Sequence, residues 1–230
     1  MGSDDIFKKR RAQNQKRKKE FKDPLPNSFL IVSEGTKTEP LYFTGLAKYI
    51  SEKYGHNSIE VKEPTIAIHG EGKCTVSLVE EASRIVKCAN IFYEQVWVVF
   101  DKDDFSDFDE AIALAEKRGF SVAWSNQSFE YWIYLHFNYS DSSLHRDCWV
   151  EKLDELFKNH GIDKNGYKKN NPNIFDVVTK YGRLKMAMRH ADRIKKTYSN
   201  NVKPSQCDPC TTVHYLIEAL KPWLNELLEI

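Results

Sequence analysis

The 230-residue sequence has no apolar run approaching the roughly 20 residues that cross a bilayer, so a membrane-spanning role is excluded. Its start is polar and basic with no apolar core behind it, so no secretory signal peptide is expected and a cytoplasmic location is. The cysteines number only five and are scattered, which excludes a disulfide framework and fits reduced thiols. Cys207 and Cys210 form a single CxxC pair with no second pair at zinc spacing, so they read as core or loop thiols. His69, His136 and His214 form no spaced ligand set; His214 reads as structural, and His136, ending an apolar helix, is a candidate to reach an acidic site. The stretch "GEGKCT" at 70–75 lacks the upstream glycine of a P-loop, because position 67 is Ala67, and places Cys74 where Ser or Thr would bind Mg²⁺. A strand–helix turn is expected there, not an ATP site. Neither an internal repeat nor a long low-complexity tract is present.

Net charge is also nearly absent, at +1, and by itself indicates no partner. Its distribution says more. Residues 8–19, "KKRRAQNQKRKK", contain no acid and eight bases: Lys8, Lys9, Arg10, Arg11, Lys16, Arg17, Lys18 and Lys19. Such a run is either a solvated arm or a handle for a phosphate backbone, gaining affinity by counterion release. It has no apolar residues to insert into a membrane surface.

Hydrophobic residues make up 41% and aromatics 13%, enough for a globular core. Residues 1–28 read as the basic arm, closed by "DPLPNS". "FLIVSEG" and "QVWVVF" are continuous apolar runs, the mark of strands covered on both faces. "IEVKEPTIAIHG" predicts another strand, placed at an edge or bulge by Pro64, and "FSVAWS" a fourth. Between them "PLYFTGLAKYISEKYG", "TVSLVEEASRIVKCA" and "DFDEAIALAEKRG" carry helical periodicity, and "SFEYWIYLHF" follows as a buried helix. Strands alternating with helices predict an α/β fold, a parallel-rich sheet with helices on both faces, over residues 29–140. Residues 141–230 predict a helical C-terminal region packed on that core. Its helices are expected at Cys148–His160, Ile174–Lys196 and Thr211–Leu228, with no strand.

In such sheets ligands sit beyond the carboxyl ends of the strands. Three acidic features fall there. Glu34 follows the first strand in "IVSEGTKTEP", Asp101 and Asp103 follow the third in "VVFDKDDF", and Glu130 follows the fourth in "SNQSFEYW". If the chain stays extended, Asp101 and Asp103 face the same side and repel each other. A hard cation, Mg²⁺ or Mn²⁺, would relieve that repulsion with oxygen ligands. Glu39 fits a capping box with Thr36, but Pro40 would then fall at the fourth helical position, where an N–H is needed. Thr38 is therefore the expected N-cap, leaving Glu39 free to face the site. Glu130 lies at the edge of an apolar segment, where a carboxylate needs a partner. Lys37 is either an exposed turn residue or a phosphate contact.

A strand ending in Glu-Gly, followed two units later by a strand ending in DxD, resembles the Toprim domain of topoisomerases, primases and overcoming-lysogenization-defect nucleases. More closely, "LIVSEGTKTEPLYFTGL", "VWVVFDKDDF", "SNQSFEYWIYLHF", "NGYKKN" and "DPCTTVHYLIEAL" resemble the RloB-like (AbiLii-like) family, found beside restriction–modification loci and in abortive phage-resistance pairs. The resemblance covers about residues 29–220. It implies a Toprim core, a Mg²⁺-dependent phosphoryl-transfer site of the nuclease kind, and a partner ATPase of the RloA or AbiLi kind. It marks Glu34 as similar to the Toprim glutamate, Asp101 and Asp103 to its metal ligands, Glu39 to the second glutamate of an "EGxTE" version, and Glu130 to a later acidic residue. Ser33 stands where the family often has Cys, and Asp208-Pro209 where it often has Asn-Pro, which leaves the role of the last block open.

On this reading Glu34, Asp101 and Asp103 hold one or two ions, or Glu34 acts instead as general acid or base. The arm and Lys168, Lys169, Arg183 and Lys185 steer DNA or RNA. The rival readings are a non-catalytic metal-binding sensor subunit of the ATPase and a nucleotidyl transferase.

Overall fold

The structure, a computed structural model, describes residues 28–54, 59–62, 74–90 and 92–229. The basic arm, Pro64, His69 and the "GEGK" turn lie outside the described residues.

The chain runs β1 (Phe29–Ser33), α1 (Thr38–Tyr54), β2 (Ile59–Lys62), α2 (Cys74–Cys88), β3 (Gln95–Asp101), α3 (Phe108–Lys117), β4 (Ser121–Asn126) and α4 (Phe129–Leu135). It continues through α5 (Arg146–Asn159), α6 (Ile174–Tyr181), α7 (Leu184–Lys195), β5 (Cys210–Thr211), α8 (Val213–Ala219) and α9 (Asn225–Glu229). The sheet order is β2-β1-β3-β4-β5. The first four strands are parallel and β5 is antiparallel to β4. This is the α/β, parallel-rich architecture expected, and it is consistent with a Toprim-like fold. β2 takes an edge, as its sequence predicts.

The continuous apolar runs are explained by burial on both sides. Phe29, Ile31, Trp97, Val99 and Ala123 face one layer, shared with α1 and the helices from α4 to α8. Leu30, Val32, Val98, Phe100 and Trp124 face the other, against α2 and α3. Alternate residues of one strand thus enter opposite cores, which is why the runs in β1 and β3 are apolar at successive positions. The first core draws in Trp149, Phe175 and Leu216, so the C-terminal helices and the sheet share one buried cluster.

Three expectations are corrected. A strand does form beyond residue 140: Cys210 pairs with Asn126 and Thr211 with Ser125. Two residues are too few to show a period of two, which hid it. The helix expected at Ile174–Lys196 divides after Tyr181, where the Arg183 N–H leaves the helical ladder for the His136 carbonyl at 2.8 Å. The helix expected at Thr211–Leu228 divides as well. Thr211 is taken by the sheet, and Pro222, with no N–H to continue a ladder, sits in a 3₁₀ turn at Lys221–Trp223 between α8 and α9. Among the described residues, no helix is long and apolar enough to cross a membrane.

Candidate metal centre

β1 and β3 are neighbours and parallel, so their carboxyl ends open side by side. The ladder extends one residue past β1, with the Glu34 N–H on the Val99 carbonyl at 2.9 Å. That bond fixes where the Glu34 side chain leaves the sheet. The chain then turns into α1. The first helical bond runs from the Leu41 N–H to the Lys37 carbonyl at 3.1 Å, so Lys37, not Thr38, is the cap. Pro40 still falls in the first turn, where its missing N–H costs little. Freed from capping, the Thr38 hydroxyl points inward, with Glu130 Oε1 at 3.2 Å, the Lys169 carbonyl at 3.2 Å and the Tyr167 hydroxyl at 3.3 Å.

Glu39 folds back over the turn it follows. A Cβ added at Gly35 would fall on the Glu39 carboxyl, so Gly35 is the residue that lets this carboxyl lie against the backbone. The overlap is with the end of a flexible side chain. Gly35→Ala is therefore expected to shift Tm by no more than a few degrees, yet to displace Glu39 and depress any cation-dependent activity by about tenfold or more. Parallel thermal melts and activity measurements check this; equal losses in both would mean that Gly35 serves only the fold.

At the end of β3, Asp101 Oδ2 accepts the Phe129 N–H at 2.9 Å, tying this strand to the start of α4. The expected extended geometry stops there. Asp103 has φ of 40° in a turn closed by the Phe105 N–H on the Lys102 carbonyl at 3.3 Å. Aspartate is among the few residues that tolerate this left-handed region. Asp103 thus returns to Glu34 through a turn and not through strand pleating. Its Oδ1 lies 2.6 Å from Arg146 Nη1, and Asp104 Oδ2 lies 3.0 Å from Arg146 Nη2.

Glu130, only 3% exposed, finds its partners within the protein. Its Oε1 accepts from Thr38 and from the Tyr167 hydroxyl at 3.2 Å, with Lys169 Nζ at 3.5 Å. Gly166, at φ of 77°, makes the turn that delivers Tyr167 and Lys169.

The carboxyls behave as one electrostatic unit. Burial, then the charges of Asp103 and Glu39, push Glu34 up to about 8. Burial raises Glu39 to about 7, with Glu130 and Asp103 adding repulsion and Lys169 opposing it. Asp101 is held well above the carboxylate range, first by burial and then by Glu39, Glu130 and Asp103. Two oxygens of this group, Glu34 Oε2 and Asp101 Oδ1, are buried and have no hydrogen-bond partner. Orphaned carboxylate oxygens amid mutual repulsion are the donor chemistry that a hard divalent cation satisfies. The fit is one of residue type and charge: among the described residues, no three His, Cys, Asp or Glu side chains are grouped closely enough to hold an ion as they stand.

Other candidates lie elsewhere or play other parts. His136 does not reach the acidic group. It is buried in the core, Nε2 at 3.3 Å from the Tyr42 hydroxyl and Nδ1 at 3.0 Å from the Trp132 carbonyl, and burial lowers it to about 4. Cys207 and Cys210 are free, buried thiols, and His214 is buried on α8. Lys37, Lys168, Arg183 and Lys185 are exposed, whereas Lys169 is engaged at Glu130. Arg146, Tyr167 and the inward Thr38 hydroxyl were not legible as site residues. The glycine before "YKK" was the one local signal among them.

A family model described as RloB-like protein matches residues 29–220. No curated protein and no solved structure matches the chain.

Proposed function

The chain belongs to the RloB-like family, and from that premise we propose that it is a Mg²⁺- or Mn²⁺-dependent nuclease of the Toprim type, acting on DNA or RNA in abortive anti-phage defence beside a partner ATPase. The observation that carries this reading is the buried carboxyl group at the carboxyl ends of β1 and β3, with Glu34 Oε2 and Asp101 Oδ1 lacking any hydrogen-bond partner. Glu34, Glu39, Asp101 and Asp103 are the residues that would hold the cation. When bound, the cation supplies charge neutralisation at the scissile phosphate and an acidified attacking water.

The protein's own side chains do the rest. Glu130, fixed by Thr38, Tyr167 and Lys169, braces one flank. Without a cation Glu34 is lifted to about 8, so where the cation is held by the other carboxyls Glu34 would serve instead as general acid or base. Exposed Lys37 and Lys168 adjoin site residues in the chain, and with the eight bases between Lys8 and Lys19 they would supply the positive charge that a phosphate backbone requires.

One observation favours a second reading, a non-catalytic binding subunit of the ATPase: Asp103 and Glu130 already have protein cations. Incubation of the purified protein, with and without its ATPase, on DNA, tRNA, other RNA and nucleoside triphosphates separates the possibilities. The expected result is cleavage of one polymer with Mg²⁺ or Mn²⁺ and none with EDTA. Nucleotide incorporation would assign a transferase. No turnover of any substrate, with the ATPase still bound, would assign the binding subunit.

A further inference from the structure

We propose that Arg146 is a resident counter-cation that is exchanged off Asp103 when a divalent cation binds and then contacts the substrate phosphate. This deepens the nuclease reading and rests on it.

Two members of the carboxyl group carry protein cations, and two others have an oxygen without a hydrogen-bond partner. Lys169 sits on Glu130 on one side, and Arg146 sits on Asp103 on the other. Both cations come from beyond residue 140, brought by packing against the sheet and not by the strands themselves. Glu34 Oε2 and Asp101 Oδ1, by contrast, are buried without a hydrogen-bond partner. A divalent cation at Asp103 would lie beside the guanidinium that holds Oδ1 at 2.6 Å, and repulsion between the two positive charges favours release of that charge-assisted bond.

Asp104 is what makes the exchange inexpensive. It is 84% exposed at the side chain and binds the same guanidinium through the other terminal nitrogen, at 3.0 Å. Arg146 therefore keeps one carboxylate when it releases the other. A guanidinium presents five N–H donors in a planar fork, enough to hold Asp104 with one edge and a phosphate oxygen with another. Its backbone anchor is firm, since Arg146 opens α5 and the His145 side chain caps that helix at the Asp147 N–H, 3.4 Å away. Its side chain is 33% exposed, so a released edge of the guanidinium has access to solvent.

The test is the coupling between cation and substrate. Mn²⁺ binding is followed by calorimetry, and binding of a short, uncleavable phosphorothioate oligonucleotide by anisotropy, each alone and together. In the wild type, Mn²⁺ is expected to tighten oligonucleotide binding by about tenfold. In Arg146→Ala that gain is expected to vanish while Mn²⁺ binds at least as tightly as before. Arg146→Lys keeps the charge without the fork; it also guards against misfolding of the Ala variant and is expected to lose most of the coupling. Oligonucleotide binding weakened equally with and without Mn²⁺ would show Arg146 to be a simple surface charge and overturn the exchange. A wild-type protein that binds no Mn²⁺ at all would instead overturn the nuclease reading beneath it.

Discussion

In Asp101→Asn, cation-dependent cleavage is expected to fall by roughly a thousandfold or more, about 4 kcal/mol of transition-state stabilisation, with the fold intact. The substitution is conservative in this setting. Asp101 is held well above the carboxylate range by burial and by three carboxyl neighbours, so its surroundings disfavour the charge that asparagine lacks. Asparagine has nearly the same shape and can still accept the Phe129 N–H that Asp101 Oδ2 accepts at 2.9 Å, preserving the tie between β3 and α4. What it cannot do is ionise when a cation arrives. Thermal stability without cation should therefore stay within about 1 kcal/mol of the wild type, while the stabilisation produced by Mn²⁺ largely disappears. Full cleavage by a cleanly purified Asp101→Asn protein would remove Asp101 from the centre and with it the assignment of this site.

The parts of the candidate centre that were legible in the sequence are those that strands deliver. Glu34 and Asp101 stand at the ends of apolar runs, and a parallel sheet brings the ends of adjacent strands together whatever the loops do. Asp103 was legible for the wrong reason: the DxD spacing suggests an extended chain, yet the second aspartate returns through a left-handed turn. Thr38 was misread because capping preferences are local, whereas the destination of its hydroxyl is set by Glu130, 92 residues away. Arg146 reaches Asp104 across 42 residues, and no periodicity or spacing encodes that meeting. His136 failed in the opposite direction. A histidine ending an apolar helix near an acidic group looks available, but Tyr42 and the Trp132 carbonyl already occupy both of its nitrogens. β5 escaped because its two residues show no pattern by themselves; their place is defined by pairing with Ser125 and Asn126. Strand-borne chemistry is written in local sequence, while the cations and hydroxyls around it are written in packing.

Packing also sets the stability of the centre, and Glu34→Gln should expose this by stabilising the cation-free protein while disabling it. Burial, then Asp103 and Glu39, lift Glu34 from an ordinary 4.5 to about 8 in the folded state. Across that window the folded protein keeps a proton that the unfolded chain releases. The favourable contribution is therefore complete below about pH 4.5 and is lost as pH rises through about 8. Glu39 acts in the same sense, with its upper limit near 7. With EDTA present, the wild-type Tm should accordingly fall between about pH 5 and 8.5. Glutamine mimics the protonated acid at every pH, and its amide can donate to the carboxylates that Glu34 otherwise repels. At pH 8.5 even a heavily discounted share of the shift, about 1–2 kcal/mol, raises Tm by about 2–8 °C and flattens the pH slope. Saturating Mn²⁺ should reverse the order, because the wild type gains stability from a ligand that binds only the folded state and Glu34→Gln does not. That gain should itself grow with pH as protons cease to compete for the same oxygens, about tenfold in affinity per pH unit for each proton displaced. Thermal unfolding of both proteins, with EDTA and with Mn²⁺ at about pH 6 and 8.5, measures all four corners. Equal pH slopes for the two proteins in EDTA, or a Glu34→Gln variant less stable than the wild type at the higher pH, would show that Glu34 does not carry the strain assigned to it.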